Sequence, residues 1–198
     1  MITSEDMKQL EESSGIPKIK LMENAGRAVY EILKEKMDIA DKNILIVCHH
    51  GSNGGDGFVA AGYLCEDAEV DILFIGSEEK MKRETLSNYK KASNNDKIQF
   101  VDEEEVDFDA YDIIIDAILG TGIHGRINRE ISALIDDINK SKAYNVSIDI
   151  PTGLDPDTGE IIGKCVDADL IVTFHDMKKG LEKISDRVVV ADIGLSKK

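Results

Sequence analysis

The stretch from Asn43 to Leu64, NILIVCHHGSNGGDGFVAAGYL, most constrains what this chain folds into. Ile44-Leu45-Ile46-Val47 is a short apolar run of the kind buried on both faces of a parallel sheet. Phe58 to Leu64 reads as the apolar start of a helix. Between them lie Gly51, Gly54, Gly55 and Gly57, with Ser52, Asn53 and Asp56. Glycine permits a sharp turn and lets a ligand approach the main chain closely. A helix after such a turn offers unpaired N–H groups and a positive dipole end. Strand, glycine-rich turn and helix together make a unit suited to a nucleotide. The spacing is neither GxGxxG nor GxxxxGK[ST], because no lysine follows the glycines. Asp56 would repel phosphate, so it fits better as an acceptor for ribose hydroxyls or as a helix N-cap.

The alternation continues along the chain. Val70–Ile75, Ile98–Val101, Asp112–Asp116, Val146–Ile150, Leu170–Phe174 and Val188–Ile193 read as further strands. Helices are expected from Thr3 or Ser4 to about Glu12, from about Pro17 to Lys36, through most of 77–96, and from about Arg129 to Lys140. In the second helix Glu23, Asn24, Gly26 and Arg27 interrupt an apolar stripe. They read equally as polar groups turned toward a site or as an exposed face with Gly26 at a close helix crossing. The acidic run Asp102–Asp109 reads as a solvated loop or helix face. No linker or repeat divides the chain, so residues 1–198 form one α/β domain around a parallel, doubly wound sheet.

In such sheets ligands bind beyond the carboxyl ends of the strands. Three loops are brought there: Ser52–Gly57, Asp116–Arg126 and Asp149–Asp155. Asp116 and Asp149 end hydrophobic strands, where aspartate is a poor strand former. They are candidates for hydroxyl recognition, acid/base work or cation binding. With Asn53 and Thr152 they make an all-oxygen set, which suits a hard cation rather than zinc. One formal negative charge among neutral oxygens would suit a monovalent ion such as K⁺. His49, His50, His124 and His175 lie on loops without zinc-ligand spacing. His124 is either a substrate contact or simply solvated.

Composition narrows the partners. A net charge of -15 argues against a nucleic-acid surface, which would want a basic face. Backbone amides can still hold phosphate, but neither a Walker lysine nor a basic phosphate clamp is visible, which disfavours a nucleotide-dependent transferase. No apolar run approaches the roughly 20 residues of a membrane span, and the polar, acidic N-terminus is no secretory signal. Cys48, Cys65 and Cys165 lack metal spacing and point to buried thiols in a reducing cytoplasm.

Five blocks carry a resemblance: Leu21-Met22-Glu23-Asn24-Ala25-Gly26, Ser52-Asn53-Gly54-Gly55-Asp56-Gly57, Asp116-Ala117-Ile118-Leu119-Gly120-Thr121-Gly122, Ser147 to Leu154, and Ala191-Asp192-Ile193-Gly194. In order and over nearly the whole chain, they resemble the YjeF N-terminal domain family, the NAD(P)H-hydrate epimerases. The resemblance implies a Rossmann-like three-layer α/β/α sandwich with a mostly parallel sheet, often dimeric. It implies interconversion of the R and S forms of NADHX and NADPHX, dinucleotides hydrated at C6. An ADP- or ATP-dependent dehydratase specific for S would then restore the cofactor. By motif match, Ser52, Asn53, Gly54, Gly55 and Asp56 would contact the hydrate, as would Gly120, Thr121, Gly122, Ile123, His124, Gly125, Arg126 and Asp149. Asn53, Asp116 and Thr152 would bind K⁺, and Asp149 is the candidate acid/base. C6 of the hydrate is a carbinolamine, so loss and return of water, or ring opening and reclosure, would each epimerise it.

The chain departs from the family pattern twice. Ser52 stands where the family has a first Asn, and Met177-Lys178-Lys179 replaces a common Pro-Lys pair. The dehydratase domain often fused C-terminally does not follow Lys198, so a separate protein supplies it or the chain is a fragment. The alternative reading is a non-catalytic nucleotide-binding or scaffold module of the same fold.

Overall fold

A computed structural model describes residues 1–122 and 125–196. Seven strands form one sheet: β1 Asn43–Cys48, β2 Glu69–Phe74, β3 Ile98–Val101, β4 Ile113–Ala117, β5 Tyr144–Ile148, β6 Leu170–Phe174 and β7 Val188–Ala191. The order is β3-β2-β1-β4-β5-β6-β7, and every pairing is parallel rather than mostly so. Five α-helices are described: α1 Ser4–Ser13, α2 Lys18–Lys36, α3 Ser52–Leu64, α4 Arg83–Ser93 and α5 Arg129–Lys140.

Strand alternation builds two cores. Ile44, Ile46 and Cys48 of β1 point into the core under α2, α3 and α4, while Leu45 and Val47 point into the one under α5. The result is the expected three-layer sandwich. After β1 the chain runs outward through β2 and β3, then returns to place β4 on the other side of β1. The crevice where the order reverses opens at the carboxyl ends of β1 and β4.

The first helix is capped as expected, by the Thr3 hydroxyl accepting from the Asp6 N–H. The ambiguous residues of α2 prove to be packing devices. Asn24 Nδ2 donates to the Ile193 carbonyl at 2.8 Å, and the Glu23 carboxylate accepts from the Tyr63 hydroxyl at 2.5 Å. A Cβ on Gly26 would lie 2.5 Å from the Val59 Cβ, so α2 and α3 cross as closely as glycine allows.

Two expectations need correction. The glycine-rich stretch is not a turn before a helix that begins near Phe58. The helix begins at Ser52, with Gly51 as its N-cap, and Gly54, Gly55 and Gly57 lie inside it. None of these glycines has positive φ. They are needed for close approach instead: a Cβ on Gly54 would fall on the His49 carbonyl, and one on Gly57 would lie 2.6 Å from the Ala117 Cβ. Asp56 therefore sits in the first turns of the helix and is not its cap. The fifth strand also lies two residues earlier than expected, at Tyr144–Ile148 rather than Val146–Ile150. It ends at Ile148, and Asp149 follows in the left-handed region at φ 65°.

The Gly54 contact gives a direct prediction. Gly54→Ala should displace the helix start from the end of β1 and cost roughly 1–3 kcal/mol, the range for overpacking a tight site. Thermal unfolding checks this, and an unchanged melting temperature would show that the close approach is not needed.

Candidate active site

The loops after β1, β4 and β5 meet as the topology requires. Asp116, within β4, is 1% exposed and fully engaged. Its carboxylate accepts from Thr152 Oγ1 at 2.6 Å, the Thr152 N–H at 2.8 Å, Ser147 Oγ at 2.9 Å and the Ile118 N–H at 3.2 Å. Burial pushes its carboxyl upward, and these donors pull it back. Thr152 also receives the Leu119 N–H at 2.9 Å, tying the loop after β5 to the loop after β4.

Asn53 is 6% exposed, yet neither its Oδ1 nor its Nδ2 has a hydrogen-bond partner among the described residues. It packs beside Gly120, where an added Cβ would lie 3.2–3.4 Å from the Asn53 side chain. A buried amide left unpaired is costly. Asn53, Asp116 and Thr152 offer only side-chain oxygen at the crevice, and the orphaned Asn53 Oδ1 is the atom a cation would satisfy. Among the described residues no group of three or more His, Cys, Asp or Glu is placed to hold a metal.

Asp149 has a partner that sequence reasoning missed. Its Oδ1 lies 2.6 Å from Lys178 Nζ, and that lysine is 0% exposed. Lys178 also donates to the Phe174 carbonyl at 2.9 Å, and Thr173 Oγ1 lies 3.3 Å from Asp149. The lysine is covered by the chain start: the Ile2 N–H donates to the Met177 carbonyl at 2.9 Å, and the Lys179 N–H reaches the Ile2 carbonyl at 3.3 Å. A buried lysine persists only when paired. Its signal was the Met177-Lys178-Lys179 departure, noted as a difference but given no role.

A small cleft of about 90 Å³ continues the site along α3, lined among others by Glu11, Lys18, Met22, Ser52, Asp56 and Lys82. Glu11 and Asp56 face the field of Asp149. The Asp56 carboxyl is pushed well up, first by burial, then by the Asp149 and Glu11 carboxylates, against the pull of Lys178. Glu11 is raised by burial and then by Asp149. Lys18 and Lys82 are the basic groups that no local motif announced; the fold brings them together from α2 and the start of α4. Ser52 is exposed at the cleft, and Thr121, Gly122, Gly125 and Arg126 lie in the second loop. Ile123 and His124 lie outside the described residues. The His49 and His50 rings lie 3.7 Å apart, tilted by 39°, and burial, then the neighbouring His50 and Lys80, lower His49 to about 4.

The Asp56 shift sets a pH dependence. The folded state holds this proton above the pH at which the unfolded chain, near about 4, releases it. Stability is therefore fully present below that value and falls as pH rises through the window up to the folded pKa. Asp56→Asn should match the parent melting temperature near pH 4 and exceed it increasingly toward neutrality. Parallel pH profiles would contradict the burial of this carboxyl.

With this geometry in view, residues 18–180 match the family described as YjeF-related protein N-terminus. The chain belongs to that family. Among relatives, the NAD(P)H-hydrate epimerase of Nitrosopumilus maritimus is 38% identical, over 93% of this chain and 89% of its own length. The bifunctional NAD(P)H-hydrate repair enzyme Nnr of Methanothermobacter thermautotrophicus is 41% identical over 91% of this chain. The chain spans only 37% of that relative's length. The crystal structure of the yeast protein ynu0 superimposes with a TM-score of 0.83 at 20% identity, covering 96% of this chain and 86% of its own. That likeness shows the α/β fold.

Proposed function

We propose that this chain is an NAD(P)H-hydrate epimerase, interconverting the R and S forms of NADHX and NADPHX. The observation that carries the reading is the Asp149–Lys178 pair, held at the sheet rim within the field that raises the Asp56 carboxyl. The similarity to named epimerases supports it from a separate direction. Asp149 is fixed by its ion pair and by a left-handed backbone, a conformation kept where surrounding structure enforces it.

Two carboxyl groups in unlike surroundings divide acid and base work. In the reading we favour, Asp56, whose carboxyl is pushed well up by burial and by Asp149, gives a proton to the C6 hydroxyl, which leaves as water. The ring nitrogen stabilises the cation that remains. Water adds at the opposite face and gives a proton to the Asp149 carboxylate. Lys178 keeps Asp149 oriented. The same groups would serve ring opening and reclosure. The free N–H groups at the start of α3, with Lys18 and Lys82, would hold the dinucleotide phosphates.

K⁺ belongs to the proposal, with Asn53, Asp116 and Thr152 as the residues that would hold it. When bound it would fix the loops after β1, β4 and β5 against one another. Exchange of K⁺ for a large organic cation should lower both activity and melting temperature, and Asp116→Asn should recover part of its loss at high K⁺. Indifference to the cation would remove K⁺ from the account.

The proposal extends to a cytoplasmic homodimer working with an ADP- or ATP-dependent dehydratase. The three free thiols support the first part. Bifunctional relatives, which pair this domain with further chain in one repair enzyme, support the last. A hydrate mixture holding the two C6 epimers in equal amounts tests the coupling. An S-specific dehydratase alone should consume half of it, and added chain should drive consumption of the rest. If half remains, the proposal fails and the fold serves as a binding module.

A further inference from the structure

Met7 is the buried residue of α1, and Leu10, Glu11 and Ser14 follow it at helical spacing on the same inner face. Glu11 thus takes a place where an apolar side chain would bury well, and it is half-buried there. The helix is pinned at its start, where the Ser4 N–H and hydroxyl donate to Asp157 at 2.7 and 2.6 Å. Two turns on, Glu11 lines the cleft along α3 together with Asp56. Neither carboxyl group makes a hydrogen bond or a close ion pair among the described residues. A carboxylate held out of water without a partner costs stability. Such departures from local packing rules are expected at functional sites.

The charges around these two groups do not balance them. Glu11 faces Asp149, Lys178, Lys18 and Glu12, and Asp56 faces Asp149, Glu11 and Lys178. Lys82 and Glu84 add one charge of each sign to the cleft. Lys178 is committed to Asp149 at 2.6 Å and to the Phe174 carbonyl at 2.9 Å. Lys18 is exposed, so water screens it. Three carboxyl groups therefore share one buried ammonium. Like charges gathered this way favour keeping a proton among them. Asp149 has the ammonium as its partner, which favours its ionised form. Asp56 is pushed well up, and the Glu11 charge is among the causes.

We propose that Glu11 is a positioning residue of the epimerase site, whose negative charge keeps the transferable proton on Asp56. This role rests on the epimerase reading and adds a third carboxyl group to it. Each turnover moves a proton from Asp56 to the departing hydroxyl, and another from the entering water to Asp149. The proton on Asp149 must then return to Asp56. Lys178 favours its departure from Asp149, and the Glu11 charge favours its arrival at Asp56. Glu11 also repels the dinucleotide phosphates. Its loss should therefore lower kcat without raising KM.

The test compares Glu11→Gln, which keeps the size and removes the charge, with Glu11→Asp, which keeps the charge, in one K⁺ buffer. Carbon NMR of the full chain, labelled at its aspartates, follows the Asp56 carboxyl through a pH titration and needs no turnover. Asp56→Asn assigns the resonance by removing it. The Asp56 midpoint should fall in Glu11→Gln and stay nearer the parent in Glu11→Asp. In epimerisation, the ratio of parent to Glu11→Gln kcat should grow with pH to about tenfold, because less of the Asp56 acid stays protonated. Melting temperature at neutral pH should hold or rise, since a poorly paired charge is gone. A merely structural Glu11 would instead lower it and leave both pH curves in place. An Asp56 midpoint unmoved by Glu11→Gln overturns the proposal, as does a kcat ratio independent of pH. A moved midpoint in a parent chain that does not epimerise upholds the coupling and overturns the epimerase reading instead.

Discussion

Asp149→Asn should lower epimerisation turnover by about 10²–10⁴-fold, the usual contribution of a positioned proton-transfer group. Asparagine is among the few residues that tolerate the left-handed backbone at this position, so the loop should keep its course. The variant should nonetheless be less stable than the parent. It leaves the Lys178 ammonium buried without an opposing charge, still donating to the Phe174 carbonyl at 2.9 Å. Loss of turnover and loss of melting temperature should thus appear together. Turnover near the parent value would remove Asp149 from the chemistry and leave it as a ligand contact.

Lys178→Met has the largest expected effect on stability. The lysine side chain is 1% exposed and that of Asp149 is 12% exposed. Removing one member of a buried pair strands the other charge, at a typical cost of about 3–5 kcal/mol. Replacing both members is often far less costly, because no unpaired charge remains. The double variant Lys178→Met with Asp149→Asn should regain most of the lost stability and none of the lost turnover. That split separates the structural role of the pair from its chemical role. Denaturant melts of the parent, both single variants and the double variant complete the cycle. Additive losses would show that the two side chains do not depend on each other.

The sheet was legible because each strand is an apolar run of the right length. Ile98–Val101 and the helix Arg129–Lys140 have the bounds that periodicity alone suggested. The topological crevice followed from alternation, and with it the Asp116–Thr152 hydrogen bonds and the place of Asn53 beside Gly120. Local reading failed at the glycines. A turn and a tightly packed helix start both demand glycine, and only the facing atoms, the His49 carbonyl and the Ala117 methyl, distinguish them. It failed again at Lys178, Lys18 and Lys82. A lysine in a polar segment looks solvated unless the segment's position is known. Here Ile2, at the far end of the sequence, seals Lys178 inside. Glu11 was hidden for the same reason: nothing in α1's own spacing shows that it faces Asp149.

The central claim is tested most directly by a time course from each pure epimer. Purified chain in K⁺ buffer is mixed separately with the R and S forms of NADHX, and both are resolved chromatographically. The account predicts that both reactions approach the same R-to-S ratio, far faster than in buffer, and that Asp149→Asn slows both directions equally. Interconversion at the buffer rate by folded, K⁺-supplied protein would contradict it.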